Sequence, residues 1–129
     1  MEITVAEEAG RVPVTILQIS GPITDGQDLQ QRAQELFERG ARNLLLDLAG
    51  VPYMATAGLR ALHVLYTLLR SADDENDPAV RAAVAAGTYK SPHLKLLSPS
   101  EHVAVALQAA GYDMFLEIHH SRKPAIASF

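Results

Sequence analysis

Residues 44–59, with the sequence LLLDLAGVPYMATAGL, constrain the fold of this chain more than any other segment. The run of three leucines at its start is typical of a β-strand that is covered on both faces. Apolar residues then recur at helical spacing: Leu59, Leu62, Tyr66 and Leu69. We therefore predict a buried strand, a short exposed turn and a helix that starts at Thr56.

The Thr56 side chain is predicted to be exposed at the start of that helix. Its hydroxyl is suited to accept a hydrogen bond from a free N–H group of the first helical turn, as an N-cap does. The same N–H groups and the helix dipole would favour a phosphate added to the hydroxyl. The residues alone leave two roles open for Thr56, a helix cap and a phosphorylation site.

The composition fits one domain and argues against several kinds of function. A chain of 129 residues that is 48% hydrophobic is large enough for one core, so we expect a single domain over residues 1–129. The net charge of −4 and the scattered basic residues argue against nucleic acid as a partner. The absence of cysteine, of a leader peptide and of a long apolar span predicts a cytoplasmic protein without direct membrane insertion.

Strands and helices alternate along the chain after an amino-terminal hairpin. β-Branched residues predict two strands at residues 3–6 and 12–20, with Pro13 near the start of the second. Asp25 is predicted to cap the next helix and Gly40 to end it. The apolar face of that helix consists of Leu29, Ala33, Leu36 and Phe37.

A further strand is predicted at residues 94–97 and is followed by a helix. Ser98 is its predicted N-cap, with Pro99 at the first helical position and Glu101 completing a capping box. The predicted buried face consists of Val103, Ala106, Leu107 and Ala110, and Gly111 ends the helix. Residues 115–119 predict a last strand, and the tail at residues 121–129 has no decisive pattern.

This order of elements predicts an α/β fold of two layers: a mixed sheet of about four to six strands with helices packed mainly on one face. Residues 71–93 form an insertion between the second helix and the next strand. They contain an acidic run followed by an alanine-rich stretch: Asp73, Asp74, Glu75 and Asp77 precede Pro78. We predict a solvated loop and a short extra helix capped by Asp77, with Pro78 at its first position.

The order of elements and the central motif together resemble the STAS domain family, which includes bacterial anti-sigma factor antagonists and the cytoplasmic domains of sulfate transporters. The family signature is an aspartate at the end of the third strand, a turn, an apolar pair, and then aspartate, serine, serine or threonine, glycine and leucine. The matching residues align without a gap: Asp47, Tyr53, Met54, Ala55, Thr56, Ala57, Gly58 and Leu59. Residues 21–24 resemble the family's loop after strand two, and residues 98–100 resemble its turn before helix three.

In switching members of the family, a partner serine kinase that is itself the anti-sigma factor phosphorylates the residue matching Thr56. The resemblance therefore implies that Thr56 is a phosphoacceptor. It also implies a partner-binding loop and helix: Asp25, Asp47, Met54, Ala55, Thr56, Ala57, Gly58 and Leu59. The chain departs from the family at two positions, because Ala55 replaces an acidic residue and Ala57 replaces the second hydroxyl.

The resemblance implies a regulatory protein-binding module, similar to anti-sigma factor antagonists, that acts in signal transduction and transcription regulation. An alternative is a constitutive subunit similar to the small STAS component of bacterial phospholipid-transport ABC complexes, in which Thr56 packs against the ATPase subunit. A third is a stress-signalling scaffold in which residues 71–93 add self-association. A homodimer therefore stays open.

The remaining polar residues predict no chemistry of their own. His119 and His120 are adjacent in a predicted strand, so their side chains point to opposite faces and are unsuited to share a metal. Gly58 fits clearance for close packing as well as it fits a functional position, and Asp47 is interpreted as a hydrogen-bond acceptor for the turn. Because no nucleophile elbow, phosphate loop or metal-ligand spacing occurs, we expect no enzymatic activity, no cofactor and no metal.

Overall fold

The computed structural model describes residues 1–70, 77–87 and 90–129. Within these residues, five strands form one sheet: β1 (Glu2–Ala9), β2 (Pro13–Ser20), β3 (Leu44–Gly50), β4 (Leu94–Leu97) and β5 (Glu117–His119). The α-helices are α1 (Gln27–Glu38), α2 (Thr56–Arg70), α3 (Pro78–Ala86), α4 (Glu101–Ala109) and α5 (Arg122–Ala127). A short 3₁₀ helix spans Tyr112–Met114.

The strands lie in the order β1-β2-β3-β4-β5 and form a mixed sheet. β1 and β2 pair antiparallel, which confirms the predicted hairpin, and the pairs β2–β3, β3–β4 and β4–β5 are parallel. Parallel neighbours require crossover connections, and helices supply them between consecutive strands. As a result, the carboxyl ends of β2, β3 and β4 meet at one edge of the sheet.

Side chains on β3 alternate between two apolar layers, so the leucine run is buried on both faces as predicted. Leu44, Leu46 and Leu48 belong to the main core with α1, α2 and α4. Leu45 belongs to a second cluster on the other face, which α5 covers. α1, α2 and α4 pack on one face of the sheet, as predicted for most of the helices. α5 packs on the other face.

α3 lies within residues 71–93 and confirms the predicted extra helix. Asp77 caps it, because its carboxylate accepts a hydrogen bond from the Ala79 N–H at 2.9 Å. Pro78 occupies the first turn, also as predicted. The preceding acidic residues, 73–75, lie outside the described residues.

The predicted start of α4 is wrong by two residues. Ser100, not Ser98, is the N-cap, and its hydroxyl accepts a hydrogen bond from the Val103 N–H at 3.4 Å. The Ser98 N–H instead donates to the His119 oxygen at 2.7 Å, which extends the pairing of β4 with β5 past the end of the strand. Ser98 then turns the chain with a φ of +50°, so the helix begins only after this turn.

Three further predictions for α4 are also wrong. Pro99 precedes the helix, and Glu101 is its first residue, too early for the acidic partner of a capping box. The buried face is narrower than predicted, because Ala106 is half-buried and Ala110 is exposed. Gly111 does end the helix region, with a φ of +80°.

The last strand is shorter than predicted, and the tail is helical. Phe115 lies outside β5, because its N–H donates to the Tyr112 oxygen at 3.0 Å and so continues the 3₁₀ turn. Its side chain is 46% exposed. Residues 121–129, which have no decisive pattern, contain α5.

Candidate functional site

The turn between β3 and α2 is held against the loop that follows β2. We call these segments, residues 21–26 and 51–55, the paired loops. Ile23 and Met54 form a parallel bridge between them, and both side chains are buried. Two backbone hydrogen bonds close the bridge: from the Ile23 N–H to the Tyr53 oxygen at 3.0 Å, and from the Ala55 N–H to the Ile23 oxygen at 2.8 Å. The backbone of the paired loops is therefore positioned without help from the Thr56 hydroxyl.

Thr56 is the first residue of α2, which confirms the predicted helix start, but it does not cap the helix. The first intrahelical hydrogen bond runs from the Leu59 N–H to the Ala55 oxygen at 3.0 Å, so Ala55 occupies the cap position. The Thr56 side chain is exposed, and its hydroxyl has no hydrogen-bond partner within the described parts of the chain. The hydroxyl is therefore available to an external group.

Two glycines allow the paired loops to lie directly on α2. A Cβ at Gly58 would come within 2.8 Å of the Ile23 Cγ2 atom and 2.9 Å of the Met54 Cγ atom. A Cβ at Gly26 would come within 2.6 Å of the Ala61 Cβ, and the backbone φ there is +74°. The clearance role predicted for Gly58 is confirmed, and Gly26 has the same role at the start of α1.

The two predicted carboxylates hold backbone turns. Asp25 accepts a hydrogen bond from the Gln27 N–H at 3.0 Å, but Gly26 occupies the cap position of α1, so the predicted cap is wrong by one residue. Asp47 accepts a hydrogen bond from the Ala49 N–H at 3.1 Å. This bond confirms the structural role predicted for Asp47.

Asp47 and Thr56 are separated by the sheet. Side chains alternate along a strand, and since Leu46 and Leu48 point into the main core, Asp47 lies on the opposite face. There it lines a shallow pocket of about 190 Å³ with polar residues of β1 and β2. Asp25, in contrast, is exposed beside Gly26, which packs on the first turns of α2. The structure groups Asp25 with Thr56 and places Asp47 elsewhere.

The sequence did not predict a set of exposed aromatic and apolar side chains that extends the surface around Thr56 towards α4. The rings of Tyr53 and His102 lie 5.8 Å apart. Tyr53 is 47% exposed and Val105 is 60% exposed. An open cavity of about 610 Å³ lies between Pro52 and the first turns of α4. The available signal was Val105, an apolar residue on the polar side of the α4 pattern.

Two side-chain hydrogen bonds fix the neighbouring elements to this surface. The Ser100 hydroxyl donates to the Val51 oxygen at 3.0 Å and so ties α4 to the turn. The Tyr112 hydroxyl donates to the Leu59 oxygen at 2.6 Å. Burial raises the pKa of Tyr112 above its usual value of 10.0. Neither bond uses Thr56.

The arrangement presents a hydroxyl at the positive end of α2, beside small and apolar side chains. In the described parts of the chain, no group of three or more His, Asp or Glu side chains is placed to hold a metal ion. No helix there is long and apolar enough to cross a membrane. The geometry suits contact with another macromolecule through a surface whose charge a modification would change.

Three solved structures share this fold. An anti-sigma factor antagonist from Mycobacterium paratuberculosis has a TM-score of 0.68 and 16% identity, over 98% of this chain and 93% of that chain. The anti-sigma factor antagonist SpoIIAA in its unphosphorylated form has a TM-score of 0.61 and 10% identity, over 95% and 92%. A candidate anti-sigma factor antagonist from Thermotoga maritima has a TM-score of 0.60 and 16% identity, over 88% and 84%.

At these identities the structures establish the fold, which is the predicted mixed sheet with helices. No curated protein matches the sequence. The model of the STAS domain family matches residues 4–74, which is more than half of the chain and includes both paired loops and Thr56. This protein therefore belongs to the STAS domain family.

Proposed function

We propose that this protein is a regulatory protein-binding module of the anti-sigma factor antagonist type. It binds a partner serine kinase through the paired loops and the start of α2, and phosphorylation of Thr56 releases that partner. The observation that supports this most directly is the exposed Thr56 hydroxyl, which lacks a hydrogen-bond partner within the described residues although the backbone around it is firmly held.

The proposed interface combines residues that touch the partner with residues that support them. Asp25, Ala55, Thr56, Ala57 and Leu59 are exposed or half-buried and form the contact surface. Met54 and Gly58 are buried and support it from below. Asp47 acts only indirectly, by holding the end of β3 from the other face of the sheet.

Phosphorylation would act on this surface through charge. A phosphate adds about −1.5 to −2 charges at neutral pH. The bonds of Ile23 and the packing of Gly58 hold the paired loops independently of Thr56, so the fold persists. A partner that fits the neutral helix start then meets a strong negative charge and is repelled.

The test compares two glutamate variants on the same helix. Thr67 is also exposed on α2, so Thr67→Glu adds the same charge away from the paired loops. Each protein is used to capture partners from its source cells, and the bound proteins are identified and their amounts are measured by mass spectrometry. We expect a serine kinase bound by the wild type and by Thr67→Glu, and reduced at least about tenfold by Thr56→Glu. Equal recovery by both variants would contradict the proposal.

The constitutive transport subunit is the second candidate, and the residues beside Thr56 favour it. Ala55 and Ala57 offer no carboxylate at the acceptor, and a start of small residues suits close packing against an ATPase. In that case Thr56→Val weakens assembly with the ATPase, and Thr56 carries no phosphate in cells. Phosphopeptide analysis of the protein purified from growing and starved cells separates the two functions.

A further inference from the structure

Lys95 carries a buried ammonium on the face of the sheet opposite α1 and α2. Only 2% of the residue is exposed. Its Nζ donates to the Ser128 carbonyl oxygen at 2.8 Å and to the Ser128 Oγ at 3.0 Å, and it lies 3.0 Å from a Glu117 carboxylate oxygen. The Phe129 ring centroid lies 4.8 Å from the same Nζ. Most partners of this charge therefore come from the segment that follows β5.

α5 covers Lys95 and its partners, which we call the Lys95 cluster, and few apolar side chains hold the helix in place. Its buried residues are Ala125 and Ile126. They pack on an apolar strip of the sheet: Val14, Ile16, Leu45 and Leu97. Arg122 pairs with Glu8 at 2.8 Å, but both side chains are exposed, and such pairs add little stability. A helix of six residues is not stable alone, so α5 depends on these anchors and on the Lys95 cluster.

Glu117 provides the charge that balances Lys95. Partial burial alone would raise the pKa of Glu117, but the hydrogen bond and charge of Lys95, together with His119 at 3.3 Å, hold the pKa below its usual value of 4.5. Because the folded pKa is depressed, the stabilisation is complete above pH 4.5 and is lost as the pH falls through the lowered pKa. Protonated Glu117 leaves Lys95 with neutral partners, and an unpaired buried cation is unfavourable.

We propose that α5 is a strap that opens independently of the rest of the fold, with Lys95, Glu117 and Ser128 as its latch. Opening moves Ser128 and Phe129 away from the sheet, allows water to reach Lys95 and uncovers the apolar strip. His119 on β5 faces the latch directly, whereas the Arg122–Glu8 pair lies on the surface. The strap is on the face opposite α2, so it is independent of the function proposed for Thr56.

Hydrogen exchange of the full chain, followed by mass spectrometry, tests the strap. We expect peptides from residues 121–129 to exchange about two- to tenfold faster at about pH 3.5 than at pH 7, after correction for intrinsic rates. Peptides from β3 should stay protected at both pH values, because they report unfolding of the whole domain. If residues 121–129 exchange at the same rate as β3 at both pH values, α5 opens only with the whole fold and the proposal is wrong.

Three variants identify the latch. Glu117→Gln removes the balancing charge, so residues 121–129 should exchange fast already at pH 7. Lys95→Met replaces the ammonium with an apolar chain of similar length and should reduce the pH dependence, because His119 alone then holds down the Glu117 pKa. Lys123→Gln changes an exposed residue of α5 and should behave as the wild type. Slow exchange in Glu117→Gln, or an unchanged pH dependence in Lys95→Met, would overturn the proposal.

Discussion

Two helices begin at the same edge of the sheet and are held there in different ways. α4 has its own cap, since the Ser100 hydroxyl accepts a hydrogen bond from its first turn. α2 has Ala55 at the cap position and is held from outside, by the backbone bonds of Ile23 and the close packing of Gly26. A neighbouring loop can therefore hold a helix start in place without a side-chain cap. Because it does so here, the Thr56 hydroxyl has no structural task.

This difference decides which hydroxyl suits a reversible modification. A group added to Ser100 would break the cap of α4 and its bond to the Val51 oxygen. A group added to Thr56 would break no hydrogen bond within the described residues. The proposed switch therefore lies at the helix start whose stability does not depend on its own side chain.

Removing the external support of α2 should cause the largest loss in the free energy of unfolding. In Gly26→Ala the new Cβ would lie 2.6 Å from the Ala61 Cβ, at a φ of +74°. We expect a loss of about 2–4 kcal/mol in the free energy of unfolding, from crowding and left-handed strain together. Urea denaturation measures it.

Gly111→Ala is the matched control, because its φ is +80° and a Cβ there would meet no atom within 4 Å. It carries the strain without the crowding, and should cost about 1–2 kcal/mol. If Gly26→Ala is no more costly than this control, packing against α2 is not what supports the helix start.

Removing the cap of α4 should have a smaller effect. Ser100→Ala loses the bond from the Val103 N–H and the bond to the Val51 oxygen, so we expect a cost of about 1 kcal/mol in urea denaturation. Ser98→Ala should cost clearly less, because Ser98 is not the cap. Equal costs for the two variants would contradict the assignment of Ser100.

Removing the Thr56 hydroxyl should have the smallest effect on stability. Thr56→Ala deletes no hydrogen bond and gives a better helix former, so we expect a change within about 0.5 kcal/mol. Thr67→Ala, at an exposed position of the same helix, should change the free energy of unfolding by a similar amount. A cost of about 1 kcal/mol specific to Thr56 would mean that it caps α2 in solution, and the contrast with α4 would disappear.

The sequence by itself predicted the features that depend on short-range periodicity. The leucine run and the helical spacing from Leu59 identified β3 and α2, because burial on two faces and on one face leave different patterns. The hairpin and the Asp77 cap of α3 were also predicted, since their residues are close in the chain. The same motif located the start of α2 at Thr56.

Only the tertiary structure decided which polar groups are used and which stay free. Ser98 fits the local pattern of a cap, but its N–H bonds to the His119 oxygen. Thr56 fits either a cap or a phosphorylation site, and the bonds of Ile23 hold the turn without it. Lys95 is buried because Glu117 and Ser128, 22 and 33 positions away, converge on it. Hydrogen bonds between distant segments compete with local ones, and a linear pattern does not record which segments meet.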